Sequence, residues 1–444
     1  MLILREEQLI DEDNLLPVFL ESYGEFLTVF SSNDERQFTA FANKQQFRIR
    51  GLSAGSKEDP YTLFSQGECH LHLALLYLRF QDPIGAIKNI KRSYKLHQKN
   101  LTKFPDFKPS QKTRGMITAI LGSIPEQYQW GLSLFGLSGD TKLGLEMIRE
   151  SLDDTDSQYP FKRETELSLA MLEFHLNNNA DSAWIYLREH AYPNAANLLD
   201  YYIIAYVGVF GGAASEVLEL LDDRPYGNEY LQFPHLNYLE GLAKLYLGDP
   251  GAITSFETFI EETKGENYVA ASWQKIAWSY IQQGDTEAYF EIMKLIKELD
   301  SPKIDVDKQA RREAKSMEAP NPILLRARML YDAGLYEDAL IELGKFDIDF
   351  STFKEFNEFT YRLGRVQQAL GNEAEALQAY LRAVESGWGS KQYYPYNACL
   401  QLGYIYEAQG YEDIANEYFN KVLDSPDHEY KFSLDQKAKA ALKD

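Results

Sequence analysis

The chain has 444 residues, and its 45% hydrophobic and 14% aromatic content is typical of an ordered protein. Its 67 acidic and 45 basic side chains leave a formal net charge of −22, which argues against nucleic acid and anionic membranes as partners. Two cysteines are too few for a disulfide framework, and no apolar run reaches the roughly 18 to 20 residues of a membrane span.

Residues 1–65 are predicted to form an N-terminal helical cap. The opening MLILREEQLIDEDN meets charged residues after four positions and so lacks the apolar core of a signal peptide. As the sequence stands, it predicts a cytoplasmic protein. The alternative is a periplasmic or exported protein whose signal peptide precedes residue 1.

The next stretch, QGECHLHLALLYLRF, places Cys69, His70 and His72 within four residues. On a helix, Cys69 and His72 share a face while His70 points to another side. A zinc site needs three or four ligands, and no second Cys/His pair with ligand spacing occurs elsewhere. We therefore expect neither metal nor cofactor, and interpret the stretch as the start of a first helix that packs through Ala74.

Glycine clusters at 131–144 and 208–212 invite comparison with phosphate-binding loops. Neither follows a predicted strand and neither ends in Gly-Lys-Ser/Thr, so we interpret both as helix turns. Acidic pairs such as Asp153–Asp154 are expected wherever 67 carboxylates occur, and they are typical of solvated helix faces. Because no nucleophile elbow or zinc-protease motif is present either, the sequence predicts a protein without enzymatic activity.

Almost no sheet is expected, because no segment alternates between apolar and polar residues over the length of a strand. Proline-bearing segments at 103–112, 222–235 and 299–322 are predicted to interrupt the helices. The last of these is the best candidate for a soft boundary within the chain.

Three C-terminal segments align with one another as a helix, a glycine turn and a second helix. Their turn glycines, Gly334, Gly371 and Gly410, lie 37 and 39 residues apart. An alanine follows each glycine at five residues, and apolar residues follow the alanine at four and seven, which marks one helix face. The second-helix residues are Ala339, Leu343 and Phe346, then Ala376, Tyr380 and Ala383, then Ala415, Phe419 and Val422. The small first-helix residues that they face are Ala327, Gly364 and Gly403.

This is the tetratricopeptide pattern, a helix pair of about 34 residues that buries its apolar face only by stacking on its neighbours. It recurs upstream at Gly248 and Gly284, which are 36 residues apart. We therefore predict an all-α fold, an α-solenoid of eight or nine tetratricopeptide-like helix pairs in a right-handed superhelix. Degenerate pairs are predicted over 66–300, and C-terminal tetratricopeptide repeats with a terminal cap over 321–444.

The block GMITAILGSIPEQYQWGLSLFGLSGDTKLGLEMIRESL at 115–152 resembles the signature of the tetratricopeptide repeat protein 39 and inclusion-body-clearance family. With gaps, the resemblance runs from about residue 66 to the end and suggests a bacterial relative. It implies an all-helical, non-enzymatic adaptor, and some eukaryotic members of the family act in lipid-linked clearance. The residues that carry it are Gly115, Ile124, Pro125, Gly136, Ser138, Gly139, Asp140, Gly144 and Leu145.

The surface that such an array offers to a partner is the concave groove lined by its first helices. Repeat alignment places six residues there: Arg328, Tyr331, Arg365, Gln368, Tyr404 and Glu407. Two stacked arginines can grip a peptide carboxylate by bidentate pairing. The alternative is that both arginines pair with neighbouring acidic residues such as Glu358.

The sequence thus predicts a scaffold or adaptor that binds a peptide or protein segment in its groove and needs no cofactor. The partner itself and the oligomeric state are not predicted. The alternative is a carrier that encloses an apolar, lipid-like ligand inside the superhelix, as the aromatic content would allow. An open polar groove favours the scaffold, whereas a dry cavity lined by Phe and Tyr favours the carrier.

Overall fold

A computed structural model describes Glu6, Leu132 and the ranges 14–124, 136–152, 159–176, 180–227, 229–349 and 351–442. The predicted family residue Pro125 and the acidic pair Asp153–Asp154 lie outside the described residues. All regular structure in the described ranges is helical, without a strand.

The helices begin with α1 (Leu16–Ser32), α2 (Glu35–Leu52), α3 (Pro60–Arg79), α4 (Pro83–Lys103), α5 (Lys108–Gly122), α6 (Thr141–Leu152), α7 (Lys162–Leu176), α8 (Ala180–Tyr186), α9 (Leu198–Phe210), α10 (Ala214–Asp222) and α11 (His235–Leu247). They continue with α12 (Ala252–Glu262), α13 (Val269–Gln282), α14 (Thr286–Glu298), α15 (Asp305–Ser316), α16 (Pro322–Asp332), α17 (Tyr336–Leu343), α18 (Phe353–Ala369), α19 (Glu373–Gly387), α20 (Tyr394–Ala408), α21 (Glu412–Leu423) and α22 (Lys431–Ala441). A short π-helical turn, Leu187–Ala191, extends α8.

Helices that follow one another in the chain pack as pairs. Over the described ranges, nine pairs follow the hairpin of α1 and α2: α3/α4, α5/α6, α7/α8, α9/α10, α11/α12, α13/α14, α16/α17, α18/α19 and α20/α21. First helices also contact the next first helix, as α7 does with α9 and α18 with α20. The all-α array of eight or nine helix pairs is confirmed.

The repeat pattern works as its residues predict. The turn glycines Gly334, Gly371 and Gly410 have φ angles of 80°, 77° and 80°, a left-handed conformation that disfavours a Cβ. A Cβ added at Gly364 would lie 2.5 Å from the ring of Tyr380, the aromatic residue of the second helix. The small first-helix residue therefore lets the aromatic ring of its partner helix close against the backbone.

The prolines of the segment 299–322 predicted an interruption of the helices, but the segment contains the helix α15. Ala310 and Ala314, one turn apart, are fully buried where α15 packs on α13 and α14. The Asp307 carboxylate accepts two backbone N–H bonds at the start of α13, each 2.8 Å long, and so caps that helix. An apolar face made of small alanines gives too weak a pattern to reveal the helix in the sequence.

Ala376 is fully buried on the second helix of a C-terminal repeat. Ala376→Glu is expected to lower the free energy of unfolding by about 3–5 kcal/mol, because a carboxylate would be buried without a partner. Urea unfolding followed by circular dichroism measures this loss. The matched control, Ala374→Glu, changes an exposed position in the same turn and should shift stability by less than about 0.5 kcal/mol. An unaltered curve for Ala376→Glu would contradict the repeat register.

Candidate functional site

Cys69, His70 and His72 are all buried in α3 and face different neighbours. The Cys69 thiol faces α1, and the Nδ1 of His70 lies 2.8 Å from the amide oxygen of Asn89 on α4. The ring of His72 stacks on Phe26 of α1 at a centroid distance of 4.2 Å. These residues pack a first helix, as expected, but they lie in its middle, since α3 begins well before them.

The inner face of the N-terminal half is covered by α1. Beyond its contact with α3, the Tyr23 hydroxyl donates to Glu164 of α7 at 3.1 Å. The ring of Phe30 contacts Tyr202 of α9 and Phe233, just before α11, with centroids 6.4 and 6.5 Å apart. One helix of the chain therefore lies along successive first helices, where a partner would otherwise bind.

A buried ionic network ties three of these first helices together. The Lys112 ammonium of α5 lies 2.5 Å from Glu164 of α7 and 3.8 Å from Glu68 of α3. The Thr113 hydroxyl also donates to Glu68. Burial opposes ionisation of the Glu164 carboxyl, but the neighbouring Lys112 outweighs it and holds the pKa below its usual range. These charges are satisfied within the fold, so they position helices rather than a ligand.

The C-terminal half presents a different inner face, where side chains of α16 and α18 meet the start of α20. We call Arg328, Tyr331, Tyr361, Arg365 and Tyr393 the arginine–tyrosine cluster. The guanidinium carbon of Arg365 lies 4.1 Å from the centroid of Tyr331, and the rings of Tyr361 and Tyr393 are 5.7 Å apart. The Arg328 side chain is 30% exposed and can meet a partner, whereas Tyr361 is only 2% exposed and lies at the base of the cluster.

Two buried residues of α13, Trp278 and Lys275, lie behind Arg328. The guanidinium carbon of Arg328 lies 4.8 Å from the ring of Trp278, and the Lys275 ammonium lies 3.4 Å from the same ring. Burial lowers the pKa of Lys275 well below its usual range, and the charge of Arg328 lowers it further.

The alternative reading, that the arginines pair with acidic neighbours, holds only in part. Glu358 pairs with Arg362, whose Nε donates to it at 2.8 Å, and with neither groove arginine. Arg328 has Asp332 at 3.6 Å from its Nε. Within the described ranges, Arg365 has neither an ion pair nor a hydrogen bond, so its charge is available to a ligand.

The other predicted groove residues lie apart from the arginines. Gln368 is exposed and accepts a 2.7 Å hydrogen bond from Tyr380 on α19. The ring of Tyr404 packs edge-on against Phe419 of α21 at 5.4 Å, and Glu407 is exposed one turn further along α20. No hydrogen bond, ion pair or ring contact in the described part of the chain joins these three to the cluster.

Repeat alignment missed Tyr361 and Tyr393, which the structure places beside the predicted arginines. Tyr361 lies one helical turn before Arg365, so the i, i+4 rule would have found it. Tyr393 precedes α20 in the tyrosine-rich segment KQYYPY, but only the tertiary structure brings it to α18. Burial raises the pKa of both phenols, which therefore stay protonated donors at neutral pH.

None of the helices in the described ranges is long and apolar enough to cross a membrane. The described residues also contain no group of three or more His, Cys, Asp or Glu side chains placed to hold a metal ion.

Residues 358–386 and 396–426 match the tetratricopeptide repeat family model. These segments coincide with α18/α19 and α20/α21, so the C-terminal part of the chain carries tetratricopeptide repeats. No curated protein matches the chain.

Among solved structures, the chain is similar to the TPR domain of P58(IPK) at 13% identity, covering 96% of this chain and 98% of that one, with a TM-score of 0.23. It is similar to yeast Tom70 at 15% identity, covering 94% and 95%, with a TM-score of 0.23. A third structure, the APC/C hetero-tetramer Cut9–Hcn1, matches at 12% identity, covering 100% and 92%, with a TM-score of 0.25. TM-scores this low carry no conclusion about shared shape or partners.

The buried histidines predict a pH dependence of stability. Burial lowers the pKa of His72 and of His97 from 6.5 to about 3. Between these pH values both rings stay neutral in the folded protein, whereas they bind protons in the unfolded chain. Stability should therefore fall as the pH drops from 6.5 towards 3. His72→Phe preserves the ring stack on Phe26 and removes one titration. It should shrink the loss of unfolding free energy between about pH 7 and about pH 4 by roughly 1–3 kcal/mol.

Urea titrations at a series of pH values measure this dependence. The control is His190→Phe, which makes the same substitution at an exposed histidine. Equal pH dependence for His72→Phe and the wild type would show that the His72 ring is protonated in the folded protein.

Proposed function

We propose that this chain is a protein-interaction scaffold that binds a peptide or protein segment along the inner face of α16, α18 and α20 and catalyses no reaction. The observation that carries the proposal is Arg365. In a protein with a net charge of −22, its guanidinium meets no carboxylate within the described residues and packs on the ring of Tyr331. An acidic group on a partner would supply the missing charge.

The position of the arginines fits a segment that runs across successive first helices. Arg328 lies on α16 and Arg365 on α18, so one segment can meet both side chains. Guanidinium groups bind carboxylates through two parallel N–H bonds, which sets orientation as well as affinity. The contact with Tyr331 restrains Arg365 before binding and so reduces the conformational entropy lost when a ligand binds.

The inner surface is covered in the N-terminal half and more open in the C-terminal half, which also supports a binding site for the partner in the C-terminal half. In the N-terminal half, α1 already lies against α3, α7 and α9, and the charges of Lys112 and Glu164 satisfy each other. The arginine–tyrosine cluster is covered only in part. The ring of Tyr430, just before α22, lies 5.4 Å from that of Tyr393, and its hydroxyl accepts a hydrogen bond from Arg312 of α15. The Arg328 side chain stays 30% exposed. A partner segment would therefore occupy there the place that α1 occupies upstream.

The alternative function, a carrier of an apolar ligand, finds less support. The inner aromatic side chains of the N-terminal half pack on one another and on α1, as the ring of Tyr202 does on Phe233 at 4.6 Å. Side chains of the protein thus fill the space where an apolar ligand would lie. The inner face that stays open carries arginines, which favour an acidic ligand over a lipid chain.

The narrower resemblance to the tetratricopeptide repeat protein 39 and inclusion-body-clearance family agrees with an adaptor and stays a prediction. Its described signature residues include Gly115 and Gly144, which meet where α5 crosses α6: a Cβ at Gly115 would lie 2.7 Å from the Gly144 carbonyl oxygen. A cytoplasmic location, the exported alternative and the absence of nucleic-acid partners likewise stay predictions from the sequence.

Charge reversal at the two arginines tests the groove. Peptides are first selected on the wild-type protein from a random 12-residue library, and their affinities are measured by fluorescence polarisation. Arg328→Glu with Arg365→Glu should weaken them at least about 100-fold, because two charge-assisted bonds of about 1.5–3 kcal/mol each would be lost. Arg382→Glu, an exposed reversal on α19, is the matched control and should leave affinity unchanged.

Circular dichroism must show the double variant folded. A folded double variant that retains wild-type affinity for all selected peptides would place their binding elsewhere and contradict the proposal.

A further inference from the structure

The arginine–tyrosine cluster has more hydrogen-bond donors than the protein itself uses. Each guanidinium carries five N–H groups. In the described part of the chain, neither Arg328 nor Arg365 donates a hydrogen bond: the nearest carboxylate, Asp332, lies 3.6 Å from the Nε of Arg328. Arg365 has only the ring of Tyr331, at 4.1 Å. Two guanidinium groups with unused donors therefore lie on consecutive first helices, α16 and α18, which contact each other.

Three phenols add to this set of donors. Among the described residues, the hydroxyls of Tyr331, Tyr361 and Tyr393 make no hydrogen bond. The ring of Tyr331 lies 4.1 Å from the Arg365 guanidinium carbon, the rings of Tyr361 and Tyr393 are 5.7 Å apart, and the charge of Arg365 interacts with all three phenols. The Asp332 carboxylate also interacts with this charge but forms no ion pair with Arg365. Donors thus exceed acceptors by a wide margin, and a ligand must bring several acceptor oxygens together.

The number of oxygens distinguishes between acidic ligands. A carboxylate has two coplanar oxygens, which one guanidinium fork satisfies. A phosphate monoester has three terminal oxygens pointing in different directions and a charge of about −1.5 to −2 at neutral pH. We propose that the arginine–tyrosine cluster binds a phosphate monoester, carried by a phosphorylated side chain of the bound segment or by a small phosphorylated molecule. The first source rests on the proposed function, whereas the anion site itself does not.

The groups around the cluster favour a dianion over a single negative charge. Arg328 and Arg365 supply the two positive charges of the cluster, since Glu358 neutralises the neighbouring Arg362. Lys275, whose ammonium contacts the ring of Trp278, interacts with Arg328, Glu313 and Asp332. Within the described ranges its Nζ has one hydrogen bond, to Gln274 at 3.0 Å. Because burial and Arg328 disfavour its charged form, a dianion nearby should raise its pKa and draw in a proton.

The full-length protein is titrated with phenyl phosphate and with benzoate by isothermal titration calorimetry. These probes share a ring and differ in the anion. Phenyl phosphate should bind at least tenfold more tightly than benzoate, and Arg365→Gln should weaken it at least tenfold. Tyr331→Phe, which removes one donor and keeps the ring, should weaken it about threefold. Arg382→Gln is the exposed control and should bind as the wild type does.

A second readout uses two buffers of different ionisation enthalpy at equal pH. Net proton uptake on binding phenyl phosphate, lost in Lys275→Met, supports the site as described. Equal affinities for phenyl phosphate and benzoate would overturn the proposal. Phenyl phosphate binding that Arg365→Gln leaves unchanged would also overturn it, because the protein would then bind an adventitious ion only.

Library peptides that contain serine separate the two sources and the two proposals. Each is compared in its serine, phosphoserine and glutamate forms. Tighter binding of the phosphoserine form, lost in Arg365→Gln, supports a phosphorylated segment. Groove-dependent peptides without a phosphoserine preference exclude a phosphorylated segment as the source of the phosphate and leave the scaffold intact. A third outcome is that phenyl phosphate binding depends on Arg365 but no selected peptide depends on the groove. That outcome supports a small phosphorylated ligand and contradicts the scaffold.

Discussion

The structure depends on one constraint: a helix pair cannot bury its own apolar face, so every first helix needs a cover on its inner side. Stacking supplies the cover between pairs, through small residues such as Gly364 that accept an aromatic ring. Along the N-terminal inner face, α1 covers the first helices, because it crosses several of them. On the C-terminal inner face the cover is partial: the ring of Tyr430, just before α22, contacts Tyr393 at 5.4 Å, and the Arg328 side chain stays 30% exposed.

Buried charges have partners within the fold in the N-terminal half, whereas Arg365 in the C-terminal half has none among the described residues. The first arrangement serves stability and the second is available for function. In the N-terminal half, Lys112 lies between Glu68 and Glu164, and each charge has an opposite charge at hand. Such a network holds helices in register, although removing one partner would cost more than the pair contributes. In the C-terminal half, Arg365 has a ring and no carboxylate among the described residues. Only the second arrangement leaves interactions for a ligand to make.

The sequence predicted what local rules determine. Turn glycines, small first-helix residues and apolar spacing report the backbone and one helix face, so the pairs and their register followed from them. It missed contacts between residues distant in the chain: α1 on the inner face, α15 with its Asp307 cap on α13, and Tyr393 beside α18. The alternative that Glu358 pairs with the groove arginines is not what the structure shows: Glu358 pairs with Arg362, one turn away on the same helix.

The unpaired state of Arg365 is informative because acidic side chains are so abundant. With 67 carboxylates in the chain, an arginine on the inner face could readily have been neutralised, as Arg362 is by Glu358. Partial burial without a counter-ion costs free energy, and packing on Tyr331 recovers only about 0.5–2 kcal/mol of it. Folding alone therefore gives no reason for a bare guanidinium beside three unpaired phenols. Binding of an anion gives such a reason, because the ligand would form with Arg365 and the phenols the interactions that the fold leaves unmade.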